Sequence, residues 1–358
     1  MVSNLINLID ESFSKLISHN ESLPIQLDIT NSCNLSCKHC YHQDHKNDGN
    51  LSINSWYKVI DDYFNLVKKL KYQPLFIICG GEPLLSPNLL PIIQKIKEKN
   101  KDTKIKILSN GTVVKDEFLN FISEHTDIAF QISLDGYDAK THNFYRGTNS
   151  FEKTIQNIKR LVEKNFEVSI LTVLSINTKK HIDKYFELAK QLKVNSCNFT
   201  RLIPEGFGKK MVQNNIDKPL LGIELRDAYI SIVQNAIKYQ INTDLNKPLM
   251  NLIIPGLGRN SKFWESIIID YKGNILLSSR SRVAIGNVLI DDVENVFKTN
   301  TTLRSLRSGN IETCGTCSDY LSCGGDRNSA YAVYGSFLSK DPGCWKYITQ
   351  EGPNEKTS

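Results

Sequence analysis

The stretch IQLDITNSCNLSCKHCYHQD, residues 25–44, joins a short apolar run to a loop that contains three cysteines. The apolar run, IQLDI, has the length and composition of a buried β-strand. Cys33, Cys37 and Cys40 follow it with the spacing C-x₃-C-x₂-C, and no fourth cysteine lies nearby in the sequence. Because a tetrahedral metal site takes four ligands, this stretch raises the question of what three thiolates bind and what supplies the fourth ligand.

Similar apolar runs recur along the chain, and each later run except the last precedes a stretch with helical periodicity. The later runs are LFIIC (75–79), KIKIL (104–108), IAFQIS (128–133), EVSILTVL (167–174) and SCNFTRLI (196–203). Strands that alternate with helices of this length indicate β/α units and a parallel sheet. Six strands predict an α/β fold with an open or partial barrel, rather than a closed eight-stranded one.

The pattern changes after residue 205, which predicts further parts of the chain beyond the barrel. We expect a short N-terminal helix, the barrel, a linker region with one helix, a small C-terminal domain and a disordered tail. The predicted boundaries are 1–23, 24–205, 206–260, 261–350 and 351–358. Within the small domain, FWESIIIDYKGNILLSS (263–279) predicts a β-hairpin around the turn DYKGN.

Composition and charge exclude several classes of function. The formal net charge of +6 comes mostly from lysines on helical stretches, without a basic cluster interleaved with aromatic residues, so we expect no nucleic-acid partner. No apolar run reaches the roughly 18 residues that cross a bilayer, and no signal peptide is recognisable. We therefore expect a cytoplasmic protein that does not bind membranes.

Nine cysteines in a reducing compartment favour metal ligands, catalytic thiols or buried small residues over disulfides. Cys79 and Cys197 lie in predicted strands and are expected to be buried. For the three-cysteine loop, the residues alone leave three interpretations open. A zinc ion would take a fourth ligand from a nearby histidine, namely His39, His42 or His45. A [4Fe–4S] cluster would use the three thiolates and leave one iron open, and the third interpretation is unligated thiols.

Short polar motifs follow the next three predicted strands: GGEP after the second, SNGT after the third and SLDG after the fourth. Each motif alone is an ordinary turn. However, the carboxyl ends of parallel strands gather at one edge of a barrel, which is where such folds place their active sites. We therefore expect the cysteine loop and the three motifs to form one shared site.

In this order, the motifs resemble those of the radical S-adenosylmethionine (SAM) enzymes. The family signature C-x₃-C-x-aromatic-C corresponds to Cys33, Cys37, His39 and Cys40, and GGEPLL (80–85) corresponds to the motif that meets the methionine end of SAM. The resemblance covers roughly residues 24–205 and implies a partial (β/α)₆ barrel. It also implies that SAM occupies the open iron of a [4Fe–4S] cluster.

By the same resemblance, an electron from the cluster cleaves SAM to methionine and a 5′-deoxyadenosyl radical, which abstracts hydrogen from a substrate. A partner such as flavodoxin or ferredoxin would supply the electron.

The resemblance suggests roles for the residues at the strand ends. Gly80 and Gly81 leave room for the backbone to approach SAM, and Glu82 is expected to accept a charge-assisted hydrogen bond from the ammonium group of SAM. The remaining contacts are expected from His39 and Tyr41 for adenine, from Ser109, Asn110, Ser133 and Asp135 for the ribose or the carboxylate, and from Arg146 for the carboxylate. No catalytic acid, base or hydrogen donor can be assigned from the sequence.

A second cysteine group lies near the C-terminus. Its spacing suits either a zinc ion or a second iron–sulfur cluster. Next to a radical SAM core, it resembles the SPASM and twitch extensions, and the resemblance implies one auxiliary [4Fe–4S] cluster. The four expected ligands are Cys314, Cys317, Cys323 and Cys344. Ser278 and Arg327 stand where a full SPASM domain usually has ligands of a further cluster, so we expect that cluster to be lost.

Two classes of substrate remain open. The first is a ribosomally synthesised peptide, and the short segment before the barrel then implies that a leader-binding domain is absent or is a separate protein. The second is a small molecule such as a tetrapyrrole or heme precursor, because GGDRNSAYAVYG and DPGC near the C-terminus resemble the branch that includes heme-tailoring and peptide-modifying maturases. A third, less favoured hypothesis is an iron–sulfur or zinc scaffold that never cleaves SAM.

Overall fold

The computed structural model describes residues 22–42, 44–46, 49–125, 127–257 and 266–346. The helix predicted for residues 1–23 lies outside them except for Ser22 and Leu23, which begin the first strand. The predicted tail at 351–358 also lies outside the described residues.

Within the described part of the chain, nine strands form one sheet in the order β6-β5-β4-β3-β2-β1-β7-β8-β9. The first six pair in parallel with their neighbours in sequence, as their alternation with helices predicts. They are β1 (Ser22–Asp28), β2 (Gln73–Cys79), β3 (Lys104–Ser109), β4 (Ile128–Ser133), β5 (Glu167–Leu174) and β6 (Ser196–Arg201).

Helices connect these strands and cover the sheet. They are α1 (Ile53–Leu70), α2 (Leu89–Lys99), α3 (Asp116–Ile122), α4 (Ala139–Arg146), α5 (Ser150–Glu163), α6 (Ile182–Leu192), α7 (Gly206–Gln213) and α8 (Gly222–Tyr239). Short 3₁₀ turns lie at Pro83–Leu85, Thr178–His181, Met250–Leu252 and Cys314–Thr316. None of the helices in the described ranges is long and apolar enough to cross a bilayer.

The first helix shows how local sequence sets these elements. α1 begins after Ser52, whose Oγ accepts a hydrogen bond from Ser55 N at 3.1 Å, and it ends at Lys71 in the left-handed conformation. Such a side-chain cap satisfies one of the amides left without a partner at a helix start. The helix buries one apolar face, including Trp56 and Ile60, in the main core of the barrel. Helices of this kind account for the burial of the parallel strands.

The C-terminal part of the chain extends the same sheet. β7 (Ile267–Ile269) pairs in parallel with β1, whereas β7 and β8 (Asn274–Leu276) pair antiparallel, which confirms the predicted hairpin. β9 (Ala284–Asn287) completes the sheet, which therefore runs across the boundary predicted near residues 250–260. The helices α9 (Val293–Thr299), α10 (Thr301–Ser308), α11 (Tyr320–Cys323) and α12 (Arg327–Tyr334) follow.

A buried ion pair joins the barrel to this C-terminal part. Arg201, the last residue of β6, donates from Nη1 and Nη2 to the two carboxylate oxygens of Asp341 at 2.8 and 2.9 Å. The Asp341 carboxylate also accepts from the backbone amides of Asp326 and Gly343, at 2.8 Å each. Since both charges are buried, each depends on the other for its partner.

We expect Asp341→Asn to lower the free energy of unfolding by about 3 kcal/mol, because the buried Arg201 guanidinium loses its bidentate ionic partner and keeps only the Asp326 carboxylate, 3.7 Å from Nη1. The matched control is Asp227→Asn, which breaks the Arg226–Asp227 pair on the exposed surface of α8 and should change stability by no more than about 0.5 kcal/mol. Urea unfolding followed by circular dichroism measures both. Equal effects of the two substitutions would contradict this role of Asp341.

Candidate functional site

A cavity of about 610 Å³ opens at the carboxyl ends of the barrel strands. It brings together most of the residues that the sequence predicted as one site. Those lining it are Cys33, Cys37, His39, Cys40, Tyr41, Gly80, Gly81, Ser109, Asn110, Ser133 and Arg146. Glu82 and Asp135 do not line the cavity and are fully buried. The expectation of one shared site at this edge of the sheet therefore agrees with the structure.

Several N–H groups point at the sulfur atoms of the three-cysteine loop. Leu35 N lies 3.5 Å and Asn110 Nδ2 3.8 Å from the Sγ of Cys33, and Arg146 Nη1 lies 3.8 Å from the Sγ of Cys37. Burial raises the pKa of all three thiols, that of Cys37 to about 12. Ligation by a metal would therefore displace protons from these thiols.

The donor set fits an iron–sulfur cluster. In the described ranges, no three Cys, His, Asp or Glu side chains converge closely enough to hold one metal ion. A [4Fe–4S] cube binds each cysteine through a different iron atom, so its ligands surround a volume instead of meeting at a point. Three thiols that line one cavity, two of them with N–H donors nearby, suit that arrangement.

The glycines after β2 are required by the protein backbone. A Cβ atom on Gly80, whose φ is +130°, would lie 2.2 Å from Thr30 O, and one on Gly81 would lie 2.2 Å from Ser32 O. The amide of Gly81 donates to Thr30 O at 2.7 Å. The two glycines therefore let the loop after β2 pack against the cysteine loop. Their predicted role in the approach of SAM remains a prediction.

Glu82 lies behind the residues that line the cavity. Its carboxylate accepts hydrogen bonds from Ser109 Oγ and from the Asn110 amide, both at 2.8 Å, and from the Leu84 amide at 3.1 Å. Burial raises the pKa of Glu82 to about 7, although these hydrogen bonds oppose the shift. A cation in the adjacent cavity would favour the ionised form. Direct contact of Glu82 with SAM remains a prediction.

The motif after β4 holds residues of the cavity wall in place, and a direct contact of Asp135 with SAM remains a prediction. The Asp135 carboxylate contacts His39 Nε2 at 2.8 Å, Arg146 Nε and, through Oδ1, the amide of Val173 at 2.7 Å. Burial alone would raise the pKa of Asp135, but Arg146 and His39 hold it well below its usual range. Asp135 thus orients two residues that line the cavity, and its oxygens are already used within the protein. Ser133, at the end of β4, does line the cavity.

The histidines of the cysteine loop also line the cavity. His42 Nδ1 is hydrogen-bonded to Asn31 Oδ1 at 2.9 Å, and burial lowers the pKa of His42 to about 4. The ring of Tyr41 lies 4.8 Å from that of His42, measured between centroids. His42 and His45 both line the cavity, but within the described chain neither belongs to a group of three side chains that could bind one metal ion.

The second cysteine group lies away from the cavity, in the C-terminal part of the chain. Cys323 Sγ accepts from Leu249 N at 3.2 Å, and burial raises the pKa of Cys323 to about 12. Burial also raises the pKa of Cys344 to about 11, to which the nearby thiols of Cys314 and Cys317 contribute. Cys344 is thus close enough to Cys314, Cys317 and Cys323 to interact with each of them electrostatically. Ligation of one cluster by the four thiols remains a prediction.

The two positions predicted to have lost ligands hold buried polar side chains. Ser278 Oγ is hydrogen-bonded to Asn328 Oδ1, and both side chains are buried. The Arg327 guanidinium donates to the carbonyls of Phe337 and Ser339, at 3.1 and 2.6 Å, and its Nη2 lies 3.7 Å from Cys314 Sγ. Both side chains therefore find their partners within the protein. The loss of the further cluster remains a prediction.

The two buried cysteines of the strands agree with expectation. Cys197 is fully buried in β6. Cys79 is buried at the end of β2, and its Sγ also donates to Asp28 Oδ1 at 2.8 Å. The cavity is also lined from the C-terminal part by residues that were not predicted from the sequence, among them Ser279, Arg280 and Asn328. The sequence feature that could have indicated them is the pair of arginines in SSRSR (278–282), at the end of the predicted hairpin.

Comparison with known proteins identifies the barrel. Residues 27–189 match the family model described as Radical SAM superfamily. The AdoMet-dependent heme synthase of Methanosarcina barkeri is 25% identical over 342 residues, which cover 89% of this chain and 95% of the relative. Mycofactocin maturase MftC of Mycobacterium tuberculosis is 26% identical over 331 residues, which cover 88% of this chain and 81% of the relative.

The solved structure of anSMEcpe with bound AdoMet and Cp18Cys peptide shares the fold. Its TM-score is 0.69 at 18% sequence identity, and the match covers 91% of this chain and 95% of that chain. The predicted partial barrel and the predicted family resemblance are thereby confirmed. The family implies SAM and a [4Fe–4S] cluster as cofactors. Residues 27–189 are a radical SAM domain, and this domain together with the enzyme-named relatives identifies an enzyme of the radical SAM class.

Proposed function

We propose that this enzyme abstracts a hydrogen atom from an unactivated carbon during the maturation of a ribosomally synthesised peptide. The observation that carries the proposal is the single cavity that the three cysteines share with the residues at the ends of β2, β3 and β4. When bound there, a [4Fe–4S] cluster and SAM supply an electron and the 5′-deoxyadenosyl radical that such an abstraction needs.

The chain's own residues have distinct tasks in this proposal. Cys33, Cys37 and Cys40 hold the cluster. Arg146 places a positive charge beside Cys37 and is itself fixed by Asp135. Glu82 accepts hydrogen bonds from Ser109 and Asn110 and, when ionised, provides a negative charge next to the cavity. The positively charged ammonium of SAM is the group that this charge would attract. The same cavity would hold adenine near His39 and Tyr41.

Two observations favour a peptide substrate. One relative is named a maturase, and the related structure of anSMEcpe holds a peptide together with AdoMet. The cavity of about 610 Å³ must take SAM as well as the reacting part of the substrate.

Tetrapyrrole tailoring is the second candidate. The match between this chain and a heme synthase covers 95% of the heme synthase, and basic side chains line part of the cavity. An electron donor such as flavodoxin or ferredoxin, and a separate leader-binding protein in the case of a peptide, are further partners that we propose.

The second cysteine group supports one auxiliary [4Fe–4S] cluster with four protein ligands. Cys344 interacts electrostatically with the other three thiols, and all four belong to a part of the chain that contacts the barrel through Arg201 and Asp341. With all its ligands from the protein, such a cluster suits electron transfer or structure more than direct coordination of substrate.

Anaerobically reconstituted protein is expected to contain about eight irons and eight sulfides, from two [4Fe–4S] clusters. The Cys33/Cys37/Cys40→Ala triple variant should keep about four of each. Chemical iron and sulfide determination, with absorbance spectra, measures both proteins. About twelve irons would contradict the interpretation of Ser278 and Arg327 as lost ligand positions. About four irons in the wild type would show that the protein binds no auxiliary cluster.

Cys40→Ala is expected to abolish the formation of 5′-deoxyadenosine from SAM in the presence of dithionite, because the cluster next to SAM loses a ligand. Cys323→Ala should retain part of this cleavage but stop product formation. Chromatographic quantification of 5′-deoxyadenosine tests both variants, after circular dichroism and iron content have shown that they are folded. Wild-type protein with two clusters and no SAM cleavage would refute the proposed function.

The affinity for SAM should rise as the pH increases through about 7. The raised pKa of Glu82 means that its carboxyl group is protonated below that value, and binding of the SAM ammonium favours the ionised form. Glu82→Gln should weaken binding at pH 8 about ten- to a hundredfold, through loss of a charge-assisted hydrogen bond. It should also remove the part of the pH dependence that Glu82 causes.

Equilibrium dialysis of reconstituted protein between pH 6 and 8 measures this dependence, and the amino group of SAM titrates equally for both proteins. Glu98→Gln, on the exposed side of α2, is the matched control. An identical pH dependence in wild type and Glu82→Gln would show that Glu82 does not sense the ligand.

A further inference from the structure

The loop between β8 and β9 carries an arginine into the cavity. Arg280 lines the same cavity as the three cysteines. The loop around it is anchored to α12, since Ser278 Oγ and Ser281 Oγ both contact Asn328 Oδ1, the latter at 3.1 Å. The amide of Arg280 donates to Ser278 Oγ at 3.3 Å. The position of Arg280 is therefore set by hydrogen bonds on either side of it in the sequence.

The guanidinium group of Arg280 has unused hydrogen-bonding capacity. Its Nη1 is buried and has no hydrogen-bond partner within the described residues. A buried polar group without a partner costs free energy, and in native structures such groups call for an explanation, for example a ligand. Asp326 is close enough to Arg280 to interact electrostatically. However, its carboxylate already accepts from the Ser329 amide at 3.1 Å and lies 3.7 Å from Arg201 Nη1.

The other cationic groups of the cavity wall are occupied. Arg146 contacts Asp135 and Arg201 contacts Asp341, in both cases as buried ion pairs. Lys247 donates from Nζ to the carbonyl of Phe199 at 2.5 Å. Of the three arginines that line the cavity, Arg280 is the one with no carboxylate of the described residues within 4 Å. Its buried Nη1 is therefore available to a ligand.

We propose that Arg280 binds a carboxylate group of the substrate and holds the substrate in the cavity that SAM also enters. A guanidinium group presents parallel N–H donors that match the two oxygens of a carboxylate. The proposal rests on the proposed function, because it places substrate and SAM in one cavity. A glutamate or aspartate side chain of a peptide and a propionate of a tetrapyrrole share this chemistry, and the experiment distinguishes them.

Two probes, measured by fluorescence titration of the anaerobically reconstituted protein, test the proposal. Dansyl-Gly-Glu-Gly-amide, whose only carboxylate is that of glutamate, is compared with dansyl-Gly-Gln-Gly-amide, and coproporphyrin III represents a tetrapyrrole. The variants are Arg280→Met, which removes the charge, and Arg280→Lys, which keeps the charge but not the planar donor group. Arg304→Met, on the exposed face of α10, is the matched control.

We expect Arg280→Met to weaken the binding of a carboxylate probe at least tenfold, Arg280→Lys to have a smaller effect and Arg304→Met to have none. If wild-type protein binds the glutamate peptide more tightly than the glutamine peptide and Arg280→Met binds the two equally, the result supports a peptide carboxylate. If Arg280→Met weakens the binding of coproporphyrin III but not that of the glutamate peptide, the result supports a tetrapyrrole carboxylate. Circular dichroism checks the folding of each variant, and if Arg280→Met is unfolded, Arg280→Lys decides.

The proposal is overturned if both carboxylate probes bind the folded Arg280 variants as tightly as the wild type. It is also overturned if neither probe binds wild-type protein at millimolar concentration. Because these titrations need no SAM cleavage, they succeed or fail independently of the radical activity. A protein that binds a carboxylate through Arg280 but forms no 5′-deoxyadenosine would refute the proposed function and leave the inference about Arg280 intact.

Discussion

The site depends on a buried carboxylate at the end of the first strand. Asp28, the last residue of β1, accepts hydrogen bonds from Cys79 Sγ at the end of β2 and from Arg282 Nη1 in the loop after β8, at 2.8 and 2.7 Å. Asp28 and Cys79 are also register partners in the parallel sheet. One fully buried charge therefore ties together the strand before the cysteine loop, the strand before the GGEP motif and the C-terminal part that supplies Arg280. A buried carboxylate is stable only with such partners, so these three elements hold one another in place.

The fold was accessible from sequence because its signals are local. Each apolar run except the last is followed by a helical pattern, and each polar motif follows a strand directly. Parallel pairing alone therefore brings Cys33, Gly80, Ser109 and Ser133 to one edge. The hairpin of β7 and β8 was accessible for the same reason. By contrast, the pairing of β7 with β1 joins parts of the chain that are far apart in sequence, and a short buried strand carries no mark of its partner.

The roles of individual site residues were harder to predict, because a motif does not tell which neighbour a side chain faces. Asp135 and Gly81 are both used against other parts of the protein, His39 and Arg146 in one case and the backbone of Ser32 in the other. Arg280 could not be assigned from sequence, since its significance lies in the absence of a hydrogen-bond partner for its buried Nη1 among the described residues. That absence became visible only when the partners of Arg146 and Arg201 were known.

The place of β1 in the sheet has a consequence for how the protein acquires its structure during synthesis. β1 is an interior strand, yet one of its two neighbours is β7, in which Ile267 pairs with Ile25. One side of β1 thus has no final partner until most of the chain has left the ribosome. Unpaired strand edges invite association with other chains, and contacts between distant parts of a sequence slow folding. The nascent barrel is therefore the stage at which this protein would benefit most from a chaperone.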